Sequence, residues 1–280
     1  MGNSVVVRPR LVRMTHIDSA DIGRVLTKYM NNTKNLALLL DYDGTLTPIV
    51  NQPDMAVIPE ETKAILERLS NVNTLFMAII SGRAVDNVKN LVGIDNIHYA
   101  GNHGYEIMAP DGSKYLHEIP TEYKKKMRDM VEELNAKASD NGAWVEDKIY
   151  SITYHFRAVP KVQQSQYLEN AKKIMEPYGF HVSQAHYGLE AKPPIKWDKG
   201  EATLKILNEN FSGDWKKSVK AIFIGDDTTD EDAMRVLKGH GLSFRIAADG
   251  DVDTCADYVL SNLDPVMVIL RWFDKYYCGM

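Results

Sequence analysis

Five consecutive apolar residues, Leu36–Leu40, end abruptly in two carboxylates one residue apart, Asp41 and Asp43, with Gly44 and Thr45 directly after them. A short apolar run without alternation reads as a strand buried on both faces, the mark of a parallel sheet covered by helices. Open sheets of that kind place their sites beyond the carboxyl ends of the strands, where the two aspartates fall. In extended chain, residues i and i+2 project to the same side. The pair can therefore share a divalent cation, or one carboxylate can attack phosphorus. The competing reading, an Asp-x-Asp in a plain loop, is disfavoured by the strand before it and the Gly-Thr after it.

The rest of the chain repeats this pattern, breaks it, and returns to it. Pro59, Glu60 and Glu61 open a helix with Ile65, Leu66 and Leu69 on one face. Residues 75–80 form a second buried strand ending in Ser81-Gly82-Arg83, Val85 to Val92 mark a helix, and residues 97–100 a third strand. From about residue 105 the character changes. Ala109-Pro110-Asp111-Gly112 is a hairpin turn, residues 121–139 form an amphipathic helix, and short strands pair around Asp147-Lys148. A second helix with Leu168, Ala171 and Met175 and two more strands follow. After residue 192 the helix–strand alternation resumes, with residues 220–224 a buried strand ending in Gly225-Asp226-Asp227. The expected fold is α/β: a doubly wound, Rossmann-like parallel sheet core with an inserted α+β cap. The expected domains are an N-terminal arm over 1–33, a discontinuous core over 34–105 and 193–280, and the cap over 106–192.

Composition narrows the partners. The net charge is −5 and the pI about 5.9, which argues weakly against nucleic acid or an anionic membrane as partner. An anionic small substrate stays open, since a site can be locally cationic. Cys255 and Cys278 are the only cysteines. They suggest neither a disulfide framework nor a metal quartet, so a cytoplasmic setting is the default. No run of about 18 apolar residues exists to span a bilayer. Residues 1–14 carry Arg8, Arg10 and Arg13 without an apolar core, unlike a secretory signal. The opening Met1-Gly2 hints at myristoylation, but Val6 stands where Ser or Thr is wanted.

Four polar clusters fall at strand ends or helix starts: Asp41/Asp43, Ser81-Gly82, Lys199, and Asp226/Asp227/Asp230. Each has a plain alternative. Ser81 can cap a helix, Lys199 can be a solvated lysine, and the acidic run can complement a helix dipole. Taken together they suit phosphoryl transfer. A phosphate monoester is doubly anionic and resists attack. Mg2+ held by Asp41, Asp226 and the Asp43 backbone carbonyl would neutralise and orient it. One carboxylate attacks in line, and a second, Asp43, protonates the departing alkoxide and later deprotonates water. Ser81, Gly82 and Lys199 would bind the phosphoryl oxygens.

In kind and order these clusters resemble the four motifs of the haloacid-dehalogenase-like phosphatases, and the insert resembles their larger α/β cap. Within that superfamily, Asp41-Tyr42-Asp43-Gly44-Thr45-Leu46-Thr47-Pro48-Ile49, Ser81-Gly82-Arg83, Gly101-Asn102-His103-Gly104-Tyr105-Glu106 and Gly225 to Asp232 resemble the trehalose-6-phosphate phosphatases. The resemblance covers nearly all of the chain beyond residue 34. It implies Mg2+-dependent hydrolysis of trehalose 6-phosphate through an aspartyl-phosphate on Asp41, with Asp227 and Asp230 just outside the metal ligands. It also implies that Glu146, Lys148, Arg157 and Glu190 read the sugar or its phosphate, with Asn102 and His103 as further candidates. From the residues alone, Glu146 and Lys148 could equally form a surface pair of little energetic weight. Lys196 rivals Lys199 in the proline-rich stretch before the third motif, although Lys199-Gly200 sits better before a helix. Three alternatives remain: another capped sugar phosphatase, a phosphomutase, or an inactive sugar-phosphate sensor. The chain has no room for a sugar-nucleotide glycosyltransferase, so a separate trehalose-phosphate synthase would supply the substrate.

Overall fold

The computed structural model describes residues 12–31, 33–50, 55–185, 188–211, 214–248 and 251–280. In chain order the elements before the insert are β1 (Val12–Thr15), α1 (Ser19–Met30), β2 (Leu36–Leu40), α2 (Glu60–Ser70), β3 (Leu75–Ile80), α3 (Val85–Val92), β4 (His98–Gly101), β5 (Glu106–Met108) and β6 (Lys114–Leu116). The insert holds α4 (Thr121–Lys137), β7 (Trp144–Asp147), β8 (Ile152–His155), α5 (Gln164–Met175), β9 (His181–Ala185) and β10 (Gly188–Lys192). The chain then closes with α6 (Lys199–Asn210), α7 (Trp215–Ser218), β11 (Lys220–Gly225), α8 (Asp230–Leu237), β12 (Leu242–Ile246), β13 (Asp251–Thr254), β14 (Tyr258–Leu260) and α9 (Asp264–Cys278). Two compact units result: Met1–Leu116 with Trp197–Met280, and His117–Lys196.

The larger unit is built on an eight-stranded sheet in the order β14-β12-β11-β2-β3-β4-β5-β6. It is parallel from β14 to β4 and antiparallel through β5 and β6. Strand alternation explains the two helical layers. Leu36, Leu38 and Leu40 face a core shared with Leu26 of α1, Ile65 of α2, Val88 of α3 and Phe273 of α9. Ala37 and Leu39 face the other core, with Ile206 of α6 and Met234 of α8. The same alternation carried two residues past the strand sends Asp41 toward α6 and α8 and Tyr42 into the first core.

Two expectations are corrected. The hairpin around Ala109–Gly112 is not part of the insert. Ile107 pairs with Ala100 and the hairpin extends the main sheet, so the insert begins at His117 rather than at 106. Nor is the N-terminal segment a loose arm where it is described. Asp18 caps α1 by accepting from the Ala20 amide at 2.9 Å. Ile22, Leu26 and Met30, each four residues apart, are buried against the core, where each contributes roughly 1.5–3 kcal/mol. Residues 1–11, with Arg8, Arg10 and the myristoylation reading, lie outside the described residues, whereas Arg13 falls in β1, paired in register with Asp253 of β13.

The insert is a four-stranded antiparallel sheet, β7-β8-β10-β9. Ile152, Tyr154, Leu189 and Ala191 on one face pack against Met127, Met130 and Leu134 of α4 and Ala171 and Met175 of α5. Residues of the other parity, Glu146, Thr153 and Glu190, stand side by side on the opposite face. No described helix is long and apolar enough to cross a membrane.

Candidate active site

Neighbouring strand tips create the site. The Asp41 amide donates to the Ile224 carbonyl at 2.9 Å, which locks the end of β2 to the end of β11 and sets Asp41 beside Asp226. Gly44 has φ of +75°, and a Cβ there would collide with the Asp226 carboxylate. Gly225 is needed in the same way, because a Cβ would strike Asp230. Both glycines of the motifs thus let acidic side chains crowd together. One oxygen each of Asp41, Asp226 and Asp230 lie within 4.8 Å of one another.

Lys199 is the first residue of α6, and Asp198 caps that helix by accepting from the Glu201 amide at 2.9 Å. Lys199 is 2 % exposed, and its Nζ donates to Asp41 Oδ1 at 2.7 Å and to Asp230 Oδ1 at 2.6 Å. Lys199, and not Lys196 of the other unit, thus fills the position beside Asp41. Burial works against the ammonium charge, but Asp230 and Asp41 outweigh it and hold Lys199 above the usual lysine range. Burial also raises the Asp41 carboxyl well above the carboxylate range; Lys199 opposes this, while Asp230 and Asp226 add to it. Asp226 is pushed up to about 7, first by burial and then by Asp230, with Lys199 opposing.

Three carboxylates around one ammonium leave negative charge uncompensated in a buried place. The oxygens differ in what they can still accept. Asp230 is used on both sides, by Lys199 and by the Asp227 amide at 2.9 Å. Asp226 Oδ1 is buried with no hydrogen-bond partner among the described residues. Thr45 Oγ1 reaches Asp41 Oδ2 at only 3.4 Å. An all-oxygen set with unused acceptors and excess negative charge fits a hard cation such as Mg2+.

The side chain of Asp43 is absent from that cluster. It turns to Arg83, whose Nε and Nη2 each donate to one carboxylate oxygen at 2.7 Å. Arg83 also donates to Asn87 at 3.1 Å and lies over the Tyr42 ring. Ser81 is 1 % exposed just past the end of β3, the strand that pairs with β2, and its Oγ accepts from the Arg83 amide at 3.1 Å. Asn102 and His103 both adopt positive φ, at +50° and +57°. Their amides donate to the carbonyls of Arg83 and Ser81 at 2.6 and 2.8 Å, and the His103 ring lies over Gly82. This left-handed pair therefore shapes the Ser81–Arg83 turn. The Asp227 carboxylate accepts from Thr229 at 3.1 Å. Burial opposes its charge, but the Thr228 amide, Lys199 and the Thr229 hydroxyl hold it below the usual range.

In the insert, Glu146, Lys148 and Glu190 do come together on the polar sheet face. His155 Nε2 lies 2.8 Å from Glu146 Oε2 and Lys148 Nζ 3.9 Å from the same oxygen. Ser151 donates to Glu190 Oε1 at 3.1 Å, and Lys192 reaches its other oxygen at 3.0 Å. Arg157 follows β8 in an exposed turn. Sequence reasoning missed Arg83 as the partner of Asp43, Thr45 beside Asp41, and His155 as the brace of Glu146. Only His155 carried a usable signal, since strand pairing across Asp147-Lys148 sets positions 146 and 155 on one face. A separate recess of about 530 Å³, lined by Asn35, Phe76, His98 and Phe211, opens at the amino end of the main sheet. Hollow volume alone therefore does not mark the carboxylate cluster.

An open parallel sheet with an acidic cluster at the tip of a central strand, interrupted by one α+β insert, has the architecture of the capped haloacid-dehalogenase-like hydrolases. A solved hydrolase of that kind from Bacteroides thetaiotaomicron superposes with a TM-score of 0.58 at 15 % identity, over 85 % of this chain and 98 % of that one. The chain belongs to the trehalose-phosphatase family, whose sequence profile matches residues 39–262, and it is a phosphoric monoester hydrolase. It is 34 % identical over 253 residues to trehalose 6-phosphate phosphatase RA3 of Zea mays, covering 85 % of this chain and 69 % of that protein. The fold is shared with the C-terminal domain of Candida albicans trehalose-6-phosphate phosphatase, at a TM-score of 0.73 and 20 % identity, over 92 % and 98 % of the two chains.

Proposed function

We propose that the chain hydrolyses trehalose 6-phosphate to trehalose and inorganic phosphate, with Asp41 as nucleophile and Asp43 as acid and base. The observation that carries this reading is Asp41 itself: a buried carboxylate at a strand tip, paired with Lys199 and crowded by Asp226 and Asp230. Mg2+ held by the Asp41 and Asp226 carboxylates and the Asp43 carbonyl would neutralise the phosphoryl oxygens and orient the ester. An Asp41 oxygen forms a bond to phosphorus while the ester oxygen–phosphorus bond breaks, and Asp43 hands its proton to the departing sugar alkoxide. Asp43, now a carboxylate, takes a proton from water as that water's oxygen bonds to phosphorus, which releases phosphate and restores Asp41. Lys199 and Ser81 hold the transferring group, and Asp230 fixes Lys199. Glu146, Lys148, Arg157 and Glu190 are the sugar readers of this proposal, with Asn102 and His103 shaping the phosphate turn. The two unpaired cysteines suit a reducing cytosol as its setting.

The test is phosphate release with Mg2+ over a panel of sugar phosphates. Trehalose 6-phosphate is expected to react fastest. Faster turnover of sucrose 6-phosphate or glucose 6-phosphate would reject the substrate, and isomerised sugar phosphate in place of free phosphate would point to a mutase.

A further inference from the structure

Thr153 occupies the centre of the polar face of the insert sheet. It pairs with Glu146 across β7–β8 and with Glu190 across β8–β10, so its side chain stands between two carboxylates, with cross-strand Cβ separations of roughly 5 Å. It is 5 % exposed, and its Oγ1 is buried with no hydrogen-bond partner among the described residues. A buried hydroxyl beside two acceptors would ordinarily donate to one of them. Both carboxylates accept from other groups instead. Glu146 is held by His155, which Trp144 in turn fixes by stacking at 4.1 Å and 18°. Glu190 is held by Ser151 and Lys192. Burial works against the charge on Glu146, yet the His155 hydrogen bond and Lys148 hold its carboxyl below the usual range.

The row Glu146–Thr153–Glu190 therefore offers two braced acceptors flanking one unsatisfied hydroxyl, which can donate and accept at once. Each hydroxyl of a pyranose ring both donates and accepts, so neighbouring ring hydroxyls can be met by two carboxylates with a hydroxyl between them. We propose that Thr153 is a specificity-determining residue whose hydroxyl hydrogen-bonds a ring hydroxyl of the sugar, between those bound by Glu146 and Glu190. This rests on the sugar-phosphate reading above. A structural role for Thr153 would rest on its β-branched shape in a strand, not on the hydroxyl.

Thr153→Val keeps that shape and removes the hydroxyl; Thr153→Ser keeps the hydroxyl. For Thr153→Val, KM for trehalose 6-phosphate is expected to rise about fivefold to tenfold, the weight of one net hydrogen bond. Its kcat, and its turnover of a small aryl phosphate, should stay within about twofold. Thr153→Ser should restore KM, and Thr153→Val should melt no lower than the wild type, since it loses an unsatisfied group. An unchanged KM, an equal change for both substrates, or a serine variant as weak as the valine one would overturn the inference. Calorimetric titration with unphosphorylated trehalose reads it apart from catalysis. If no sugar phosphate is turned over, the activity reading fails, while weaker trehalose binding by Thr153→Val than by wild type still supports the role of Thr153. Equal trehalose binding by the two, or none to wild type, overturns that role.

Discussion

Arg83 grips Asp43 by both carboxylate oxygens, Nε and Nη2 each at 2.7 Å. The fork is itself pinned. Asn87 takes Nη1, and the Ser81 hydroxyl oxygen accepts from the Arg83 amide. The acid and base of the proposed reaction is thus held from the neighbouring strand, away from the three-carboxylate cluster, and one of its oxygens must leave the fork to carry the proton. This separates two acids two residues apart in sequence, one facing Lys199 and one facing Arg83.

Replacing the fork tests its role. Arg83→Lys keeps the charge and loses the bidentate geometry. If Arg83 positions the acid, kcat on a sugar phosphate should fall by about tenfold to a hundredfold, the weight of a misplaced general acid. An aryl phosphate whose phenolate departs unaided should lose less than about threefold. Steady-state kinetics on both substrates decide it, and an equal loss on the two would mean that Arg83 does not act through Asp43.

Lys199 and Asp41 share one contact, yet their removal should have opposite effects on stability. Asp41→Asn takes one charge out of a crowd of three carboxylates, so the melting temperature should hold or rise while activity falls by about a thousandfold or more. Lys199→Met leaves Asp41 and Asp230 buried without their cation, at a cost of about 3–5 kcal/mol. Calorimetry of both variants is the check, and a clear drop in melting temperature for Asp41→Asn would show that the crowding is not real.

The legible part of this fold was the part written in local pattern. Leu36–Leu40 and Leu75–Ile80 fall where the apolar runs place them, and Gly44 and Gly225 sit where acidic side chains crowd the backbone. The hairpin of β5 and β6 misled because its composition suits either unit, and only the pairing of β5 with β4 assigns it. Helix α1 was legible and overlooked: Asp18 followed by Ile22, Leu26 and Met30 is a cap and an apolar stripe. The Arg83–Asp43 pair spans 40 residues and leaves no periodic trace, so nothing short of the sheet order reveals it.

Divalent metal should stabilise the folded chain through the same cluster. With Mg2+ at about a hundred times its dissociation constant, mass action adds roughly 2.7 kcal/mol. The melting temperature of protein first stripped with chelator should therefore rise when Mg2+ returns. Asp226→Asn removes the carboxylate whose Oδ1 is buried and unpartnered and should abolish that rise. A full Mg2+ response in the variant would place the cation elsewhere.

Acid stability should depend on a pair far from the chemistry. On α2 and α9, Arg68 Nε and Nη2 donate to Asp274 at 2.9 and 2.5 Å. The Arg68 hydrogen bonds, set against a smaller burial effect, hold the Asp274 carboxyl below the usual range. Between the folded value and the unfolded value of about 3.9, the unfolded chain binds the extra proton, so stability rises with pH there. The contribution is fully present above about pH 5 and is lost as pH falls through the folded value. Asp274→Asn should therefore unfold at lower urea than wild type at pH 7, with the gap closing toward pH 3. Urea midpoints measured across that range test the linkage, and a gap that stays constant with pH would mean that the ionised pair contributes nothing and that the variant acts through packing alone.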